Sequence, residues 1–213
     1  MKKFSILLIL LFSLSLVNCE KAPDAPKADT QAPVENTKPQ ADAKPLKLDL
    51  AKSTIKWIGT KVTGKHNGTI KLKSGEVLVS GQKVVGGKFV VDMTTLEDLD
   101  LEGNDKFKEK LETHLKSDDF FSVEKFPETK FEITSVKEEG NNKVNITGNL
   151  TIKDVTKSIS FPASIEVDAN KNPVAAKANF NIDRFQWGVV YKGKADDLIK
   201  SEINFDLDLK VGM

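Results

Sequence analysis

Cys19 is the only cysteine in this chain of 213 residues, and a lone cysteine cannot close an internal disulfide. The folded part must therefore be held by its core. Tyrosine occurs once and tryptophan twice, and the two histidines, His66 and His114, cannot by themselves supply a typical zinc site. There is no nucleophile elbow, HExxH pair, phosphate loop or Gly-x-Gly-x-x-Gly fingerprint, so no motif points to a hydrolase or a nucleotide-dependent enzyme. Charge of one sign is not in excess either. The formal net charge is +1, and loss of Lys2 and Lys3 with a leader leaves 30 basic against 31 acidic residues. That balance excludes the basic surplus of a typical nucleic-acid partner.

Long apolar runs are confined to Ile6–Val17, interrupted only by Ser13 and Ser15 and preceded by Lys2 and Lys3. Such a run is too short for a comfortable permanent membrane span and reads as a signal peptide over residues 1–18. Leu16-Val17-Asn18-Cys19 resembles the lipobox of bacterial lipoproteins, in which the cysteine thiol is joined to diacylglycerol. The expectation is an exported protein, lipid-anchored through Cys19 in the bacterial cell envelope and facing the periplasm or sitting at the outer membrane. A plain secreted protein with an incidental thiol is the alternative. Glu20–Pro45 holds five of the eight prolines and no aromatic residue, a composition that buries no core. Residues 19–46 are accordingly expected to be a lipidated cysteine followed by a disordered tether, with an r.m.s. span of about 25 to 30 Å.

Residues 47–213 suffice for one domain with a sizeable core. Apolar side chains recur there at every second position. Val144, Ile146, Gly148, Leu150 and Ile152 form one face; Ile159, Phe161, Ala163, Ile165 and Val167 a second; Ala176, Ala178, Phe180 and Ile182 a third; Ile203, Phe205, Leu207, Leu209 and Val211 a fourth. Period two predicts strands with one dry side. Shorter versions occur at Ile55 and Trp57, Ile70 and Leu72, Val77 and Val79, Phe89, Val91 and Met93, and Phe131 and Ile133. Turn signals fall at Lys73-Ser74-Gly75, Gly86-Gly87, Gly140-Asn141-Asn142 and Asn170-Lys171-Asn172-Pro173. About eight or more strands joined by short turns make an all-β antiparallel barrel or sandwich. Phe107, Leu111, His114 and Leu115 break the pattern at helical spacing, after Asn104 as the expected N-cap. They predict one amphipathic helix of about three turns between the N- and C-terminal strand groups, covering a barrel mouth or packing outside it.

His114 shares the apolar face of that helix and reads as a packed structural histidine. His66, in Gly64-Lys65-His66-Asn67-Gly68, is either a turn residue or a donor to a ligand. Asp98, Asp100, Glu102, Gly103 and Glu109 have the spacing of an EF-hand loop, but Glu102 and Asp105 depart from its pattern and a strand precedes it, so a solvated acidic connection is the expectation and no metal site is assigned. The Asn-x-Thr triplets at Asn67, Asn145 and Asn149 are read as strand and turn residues. Twelve phenylalanines remain. They either fill a core or line a cavity for one small apolar ligand, and pattern alone leaves both open.

Several stretches in order resemble the YceI family of bacterial periplasmic proteins: WIGTKVTGKHNG from Trp57, GGKFVVDMTT from Gly86, HLKSDDFFSVEKFP from His114, TKFEITSV from Thr129, ITGNLTIKDVTK from Ile146 and IDRFQWGV from Ile182. Asp154 departs from the glycine usual in that family's turn. The resemblance implies a lipocalin-like antiparallel barrel with a long apolar channel that binds polyisoprenoid or similar lipids, without catalysis and without a cofactor other than a bound isoprenoid lipid or quinone. The implied lining is Trp57, Phe89, Val91, Phe131, Ile133, Ile146, Leu150, Phe161, Phe180, Ile182, Trp187 and Phe205. Lys61, His66 and Arg184 are the candidates for the mouth or head-group end. A packed barrel serving as an envelope-stress or protein-interaction module is the alternative, and homodimerisation is left open.

Overall fold

Valine, isoleucine and phenylalanine at alternate positions favour pleated strands whose apolar faces must meet, and from Thr54 onward the chain satisfies this by curling one sheet onto itself. The structure, a computed structural model, describes residues 21–35 and 41–212. The segment expected to be a signal peptide, residues 1–18, and Cys19 lie outside those residues.

The strands are β1 (Asp29–Gln31), β2 (Lys44–Lys47), β3 (Thr54–Lys61), β4 (Gly64–Ser80), β5 (Lys83–Asp98), β6 (Glu128–Gly140), β7 (Lys143–Ile152), β8 (Val155–Val167), β9 (Pro173–Asp183), β10 (Gly193–Lys194) and β11 (Asp197–Lys210). Helix α1 spans Asp105–Lys116, between β5 and β6 as expected. Antiparallel pairing runs from β3 through β9 in chain order, then from β9 to β11 and from β11 back to β3. That circuit is a closed eight-stranded antiparallel barrel. Closure removes most of the sheet's edge, leaving a seam where β8 and β9 pair only from Ser164 to Val167.

Two of the expected turns are real. Asn141 and Asn142 have φ of 50° and 58°, the paired left-handed conformation of a tight hairpin, and Lys171 (φ 65°) lies in the β8–β9 connection. The other two are corrected: Lys73-Ser74-Gly75 lies inside β4 and Gly86-Gly87 inside β5. These glycines make room for neighbours rather than reversing the chain. A Cβ at Gly75 would meet Leu48 at 2.7 Å, and one at Gly87 the Glu76 carbonyl at 2.8 Å.

The disordered-tether expectation also fails for the described part of Glu20–Pro45. Pairing of β8 with β9 stops at Ser164↔Lys177, and β1 fills the seam beyond it. Thr30 lies opposite Ile159 on β8, while the Ala28 amide donates to Asn181 O and the Asn181 amide to Pro26 O, both at 2.8 Å. Ala28 is only 3% exposed and packs with Val144, Ile159 and Phe161. Further along, β2 pairs with β4 from Lys44↔Val79 to Lys47↔Glu76. Unmade hydrogen bonds on the open edges supply what the composition of this segment lacks.

Candidate functional site

The barrel encloses a cavity of about 570 Å³ whose wall is overwhelmingly apolar. It runs from α1 at one end toward the β8–β9 connection at the other, because Leu111, His114 and Leu115 line it together with Pro173 and Lys177. Five phenylalanines from five strands form its spine. Phe89 (β5) stacks on Phe131 (β6) with centroids 6.2 Å apart, Phe131 meets Phe161 (β8) at 5.7 Å, Phe161 stacks on Phe180 (β9) at 4.0 Å, and Phe180 meets Phe205 (β11) at 6.2 Å. Offset and tilted ring pairs add to area burial. On β7, Gly148 leaves room for that row, since a Cβ there would stand 2.5 Å from the Phe131 ring.

Of the residues implied by sequence, Trp57, Phe89, Val91, Phe131, Ile133, Ile146, Leu150, Phe161, Phe180 and Phe205 are on the wall, as are Lys61, His66 and Arg184. Ile182 and Trp187 are not. Both are fully buried in the cluster around Ile159 and Phe161, and the Trp187 indole N–H donates to Leu150 O at 3.0 Å. Trp187 belongs to a 3-10 turn, Arg184–Trp187, after β9, where strand parity no longer applies.

The end next to α1 is closed by residues that strand periodicity passes over. Phe120 and Phe121 come from the irregular connection after the helix and line the cavity. Phe120, His114 and Tyr191 meet ring to ring, with centroids 4.9 to 5.2 Å apart. The His114 Nε2 is 3.0 Å from Asp119 Oδ2, so this histidine is half-buried and packed. No residue of α1 is fully buried, and Phe107 is 57% exposed. The helix lies across the barrel with its Leu111–Leu115 edge on the cavity and Lys108 bonded to Glu97 of β5 at 3.1 Å. Asn104 precedes it but makes no side-chain capping bond.

The polar candidates divide into three situations. Lys61 pairs with Asp197 at 2.6 Å, and this bond, with help from Thr63, holds the Asp197 carboxyl below its usual range. Arg184 is 2% exposed. Its guanidinium donates to the carbonyls of Lys200, Val189, Tyr191 and Ile199 and lies against the Phe120 and Phe185 rings. Burial lowers its pKa. It therefore clamps the 189–191 connection to β11 at the cavity wall.

His66 is in the third situation. Its Nδ1 lies 2.9 Å from Asp100 Oδ2 and 3.8 Å from Asp98 Oδ2. The geometry comes from a break in register: Thr69↔Glu97 is followed by Lys71↔Asp92, and the excess on β5 brings Asp98 opposite Gly68. Only glycine fits there, because a Cβ on Gly68 would stand 1.8 Å from Glu97 O. The Asp98 side chain is 0% exposed. Burial pushes its carboxyl up to about 6, with the Asp100 carboxylate adding to the rise. For Asp100, burial acts upward but is outweighed by the Asn67 amide, Asp98 and His66, so its carboxyl lies below the usual range. The EF-hand spacing does not build this cluster, since Glu109 sits on α1 and His66 comes from β4. Sequence reading missed it because 32 residues and a bulge separate His66 from Asp98.

A closed antiparallel barrel with one covering helix and an apolar interior places the protein in the lipocalin-like class. The YceI-like domain model matches residues 46–211, and the chain belongs to that family. It is 33% identical over 115 residues to a UPF0312 protein of Pseudomonas putida, an alignment covering 54% of this chain and 57% of that relative. It is 28% identical over 144 residues to another UPF0312 protein, from Pseudomonas fluorescens, covering 66% and 72%. The first of these alignments thus spans little more than half of the relative. Among solved structures, Burkholderia cenocepacia BcnA superposes with a TM-score of 0.63 at 21% identity, covering 78% of this chain and 99% of that one. A polyisoprenoid binding domain from Saccharophagus degradans, implicated in plant cell wall breakdown, superposes with a TM-score of 0.54 at 12% identity, covering 78% and 98%. At these identities the two structures share the fold.

Proposed function

We propose that this protein binds a long-chain isoprenoid lipid of quinone or polyprenyl type in the barrel cavity and stores or carries it without catalysis. The observation that carries this reading is the cavity itself, about 570 Å³, elongated and lined by the Phe89–Phe205 row. Its volume is that of an ordinary small-ligand pocket. Each CH₂ of a chain buried there contributes about 0.8 kcal/mol, against the cost of ordering a flexible lipid. That the Saccharophagus neighbour is a polyisoprenoid binding domain supports the same ligand class. The alternative of a solid, packed barrel is disfavoured by the same open interior.

In this reading Cys19 carries the lipid anchor and holds the barrel at the cell envelope, beside the membrane that supplies or receives the cargo. Solvent extraction of the purified protein followed by mass spectrometry tests the ligand: an isoprenoid lipid is expected in the extract, or after incubation with quinones. No lipid under either condition overturns the carrier reading. Cys19→Ala is expected to release the protein from the membrane fraction while leaving binding in solution intact. A variant that stays membrane-bound removes the anchor from Cys19.

A further inference from the structure

We propose that His66 Nδ1, Asp98 Oδ2 and Asp100 Oδ2 form a binding site for one divalent transition-metal ion of the zinc type, set in the wall of the barrel. The three donor atoms all lie within 4.8 Å of one another. Donors bound about 2.1 Å from one ion stand at most about 4.2 Å apart, and His66 Nδ1 is already 2.9 and 3.8 Å from the two carboxylate oxygens.

The carboxylates are aimed. Asp98 Oδ1 accepts from the Leu101 amide at 2.8 Å, and Asp100 Oδ1 accepts from the Asn67 amide at 2.6 Å. Each carboxylate is thus fixed by a backbone donor on one oxygen and turns the other toward the imidazole, as outer hydrogen bonds do for metal ligands. Asp98 supplies the second observation. Its Oδ2 is fully buried and has no hydrogen-bond partner among the described residues. A buried carboxylate oxygen without a hydrogen bond is costly, and an ion shared with His66 and Asp100 satisfies it.

The donor set selects the ion. Two carboxylates and a neutral imidazole match a 2+ charge, and imidazole favours zinc and its neighbours over calcium, which takes six to eight oxygens. Three protein donors leave a coordination position for water or a ligand oxygen. His66 also lines the cavity, so the ion lies beside the space a ligand occupies. This site does not rest on the lipid reading.

The test is calorimetric titration of the full chain with Zn²⁺ and with Ca²⁺. One Zn²⁺ per chain is expected, with Ca²⁺ binding much more weakly. Asp98→Asn and His66→Gln, each checked for its β circular dichroism, are expected to weaken Zn²⁺ by at least about ten-fold. His114→Gln, which alters the other histidine beside a carboxylate, is expected to leave it unchanged. Absence of saturable Zn²⁺ binding below millimolar concentration, unaltered affinity in both site variants, or loss that follows His114 overturns the proposal.

Discussion

Phe161 and Phe180 lie face to face, 4.0 Å between centroids and 14° between planes, at the level where β8 and β9 no longer pair with each other. The two rings hold across the barrel interior what the backbone does not hold at its surface. Phe180→Ala is expected to destabilise the fold by about 3 kcal/mol, the lower end of the cost of deleting a buried phenyl. A shift of the urea midpoint at unchanged slope measures it.

Ala178 is one strand pleat from Phe180 and lines the cavity. Ala178→Trp places an indole in the channel without cutting a strand hydrogen bond. Lipid recovered by extraction is expected to fall at least several-fold while the β circular dichroism is retained. Full lipid loading in this variant would move the bound chain away from β9.

Arg184 ties four carbonyls, two from the 189–191 connection and two from β11. Arg184→Met removes these bonds and leaves the Val189 carbonyl buried without this partner, an expected loss of about 3 kcal/mol by urea unfolding. Arg184→Lys is expected to recover little, because an ammonium cannot reproduce the planar fork.

Asp98 makes stability depend on pH. Its folded carboxyl is raised from 3.8 to about 6, so its contribution is fully present below pH 4 and is lost as pH rises through about 6. In metal-free buffer, Asp98→Asn is expected to match the wild type near pH 4 and to exceed it above pH 6. Urea midpoints taken between pH 4 and 8 check this. Parallel curves for the two proteins would contradict it.

Ala28 seals the seam beside β8. Ala28→Glu buries a charge in the Val144–Phe161 cluster and is expected to displace β1, at a cost of about 2 kcal/mol or more. Hydrogen exchange reports it directly, because amides at Ser158, Ser160 and Asn181 should lose protection while those of β6 and β7 keep theirs.

The barrel was legible wherever one face is wet and the other dry. Val144 to Ile152 and Ile203 to Leu209 alternate, and each run is a single strand. Ten of the lining residues implied by the family resemblance, from Trp57 to Phe205, lie on such alternating faces and on the cavity wall. Glycine read as a turn signal misled at Gly75 and Gly87, where it serves packing inside a strand, and alternation gave no guidance at Trp187, where the chain has left the strand. It was blind to Phe120 and Tyr191, which reach the cavity from irregular segments, and to β1, whose prolines and charges describe the segment and not the open edge that recruits it.

Local residue order determined the strand faces, the position of α1 and the apolar character of the interior, because each depends on contacts a few residues apart. Only the tertiary structure decided that the interior is a cavity, that an N-terminal segment closes its seam, and that His66 meets Asp98 and Asp100. Those outcomes depend on how strands distant in sequence register against one another, and a single bulge on β5 is enough to bring three separate side chains to one point.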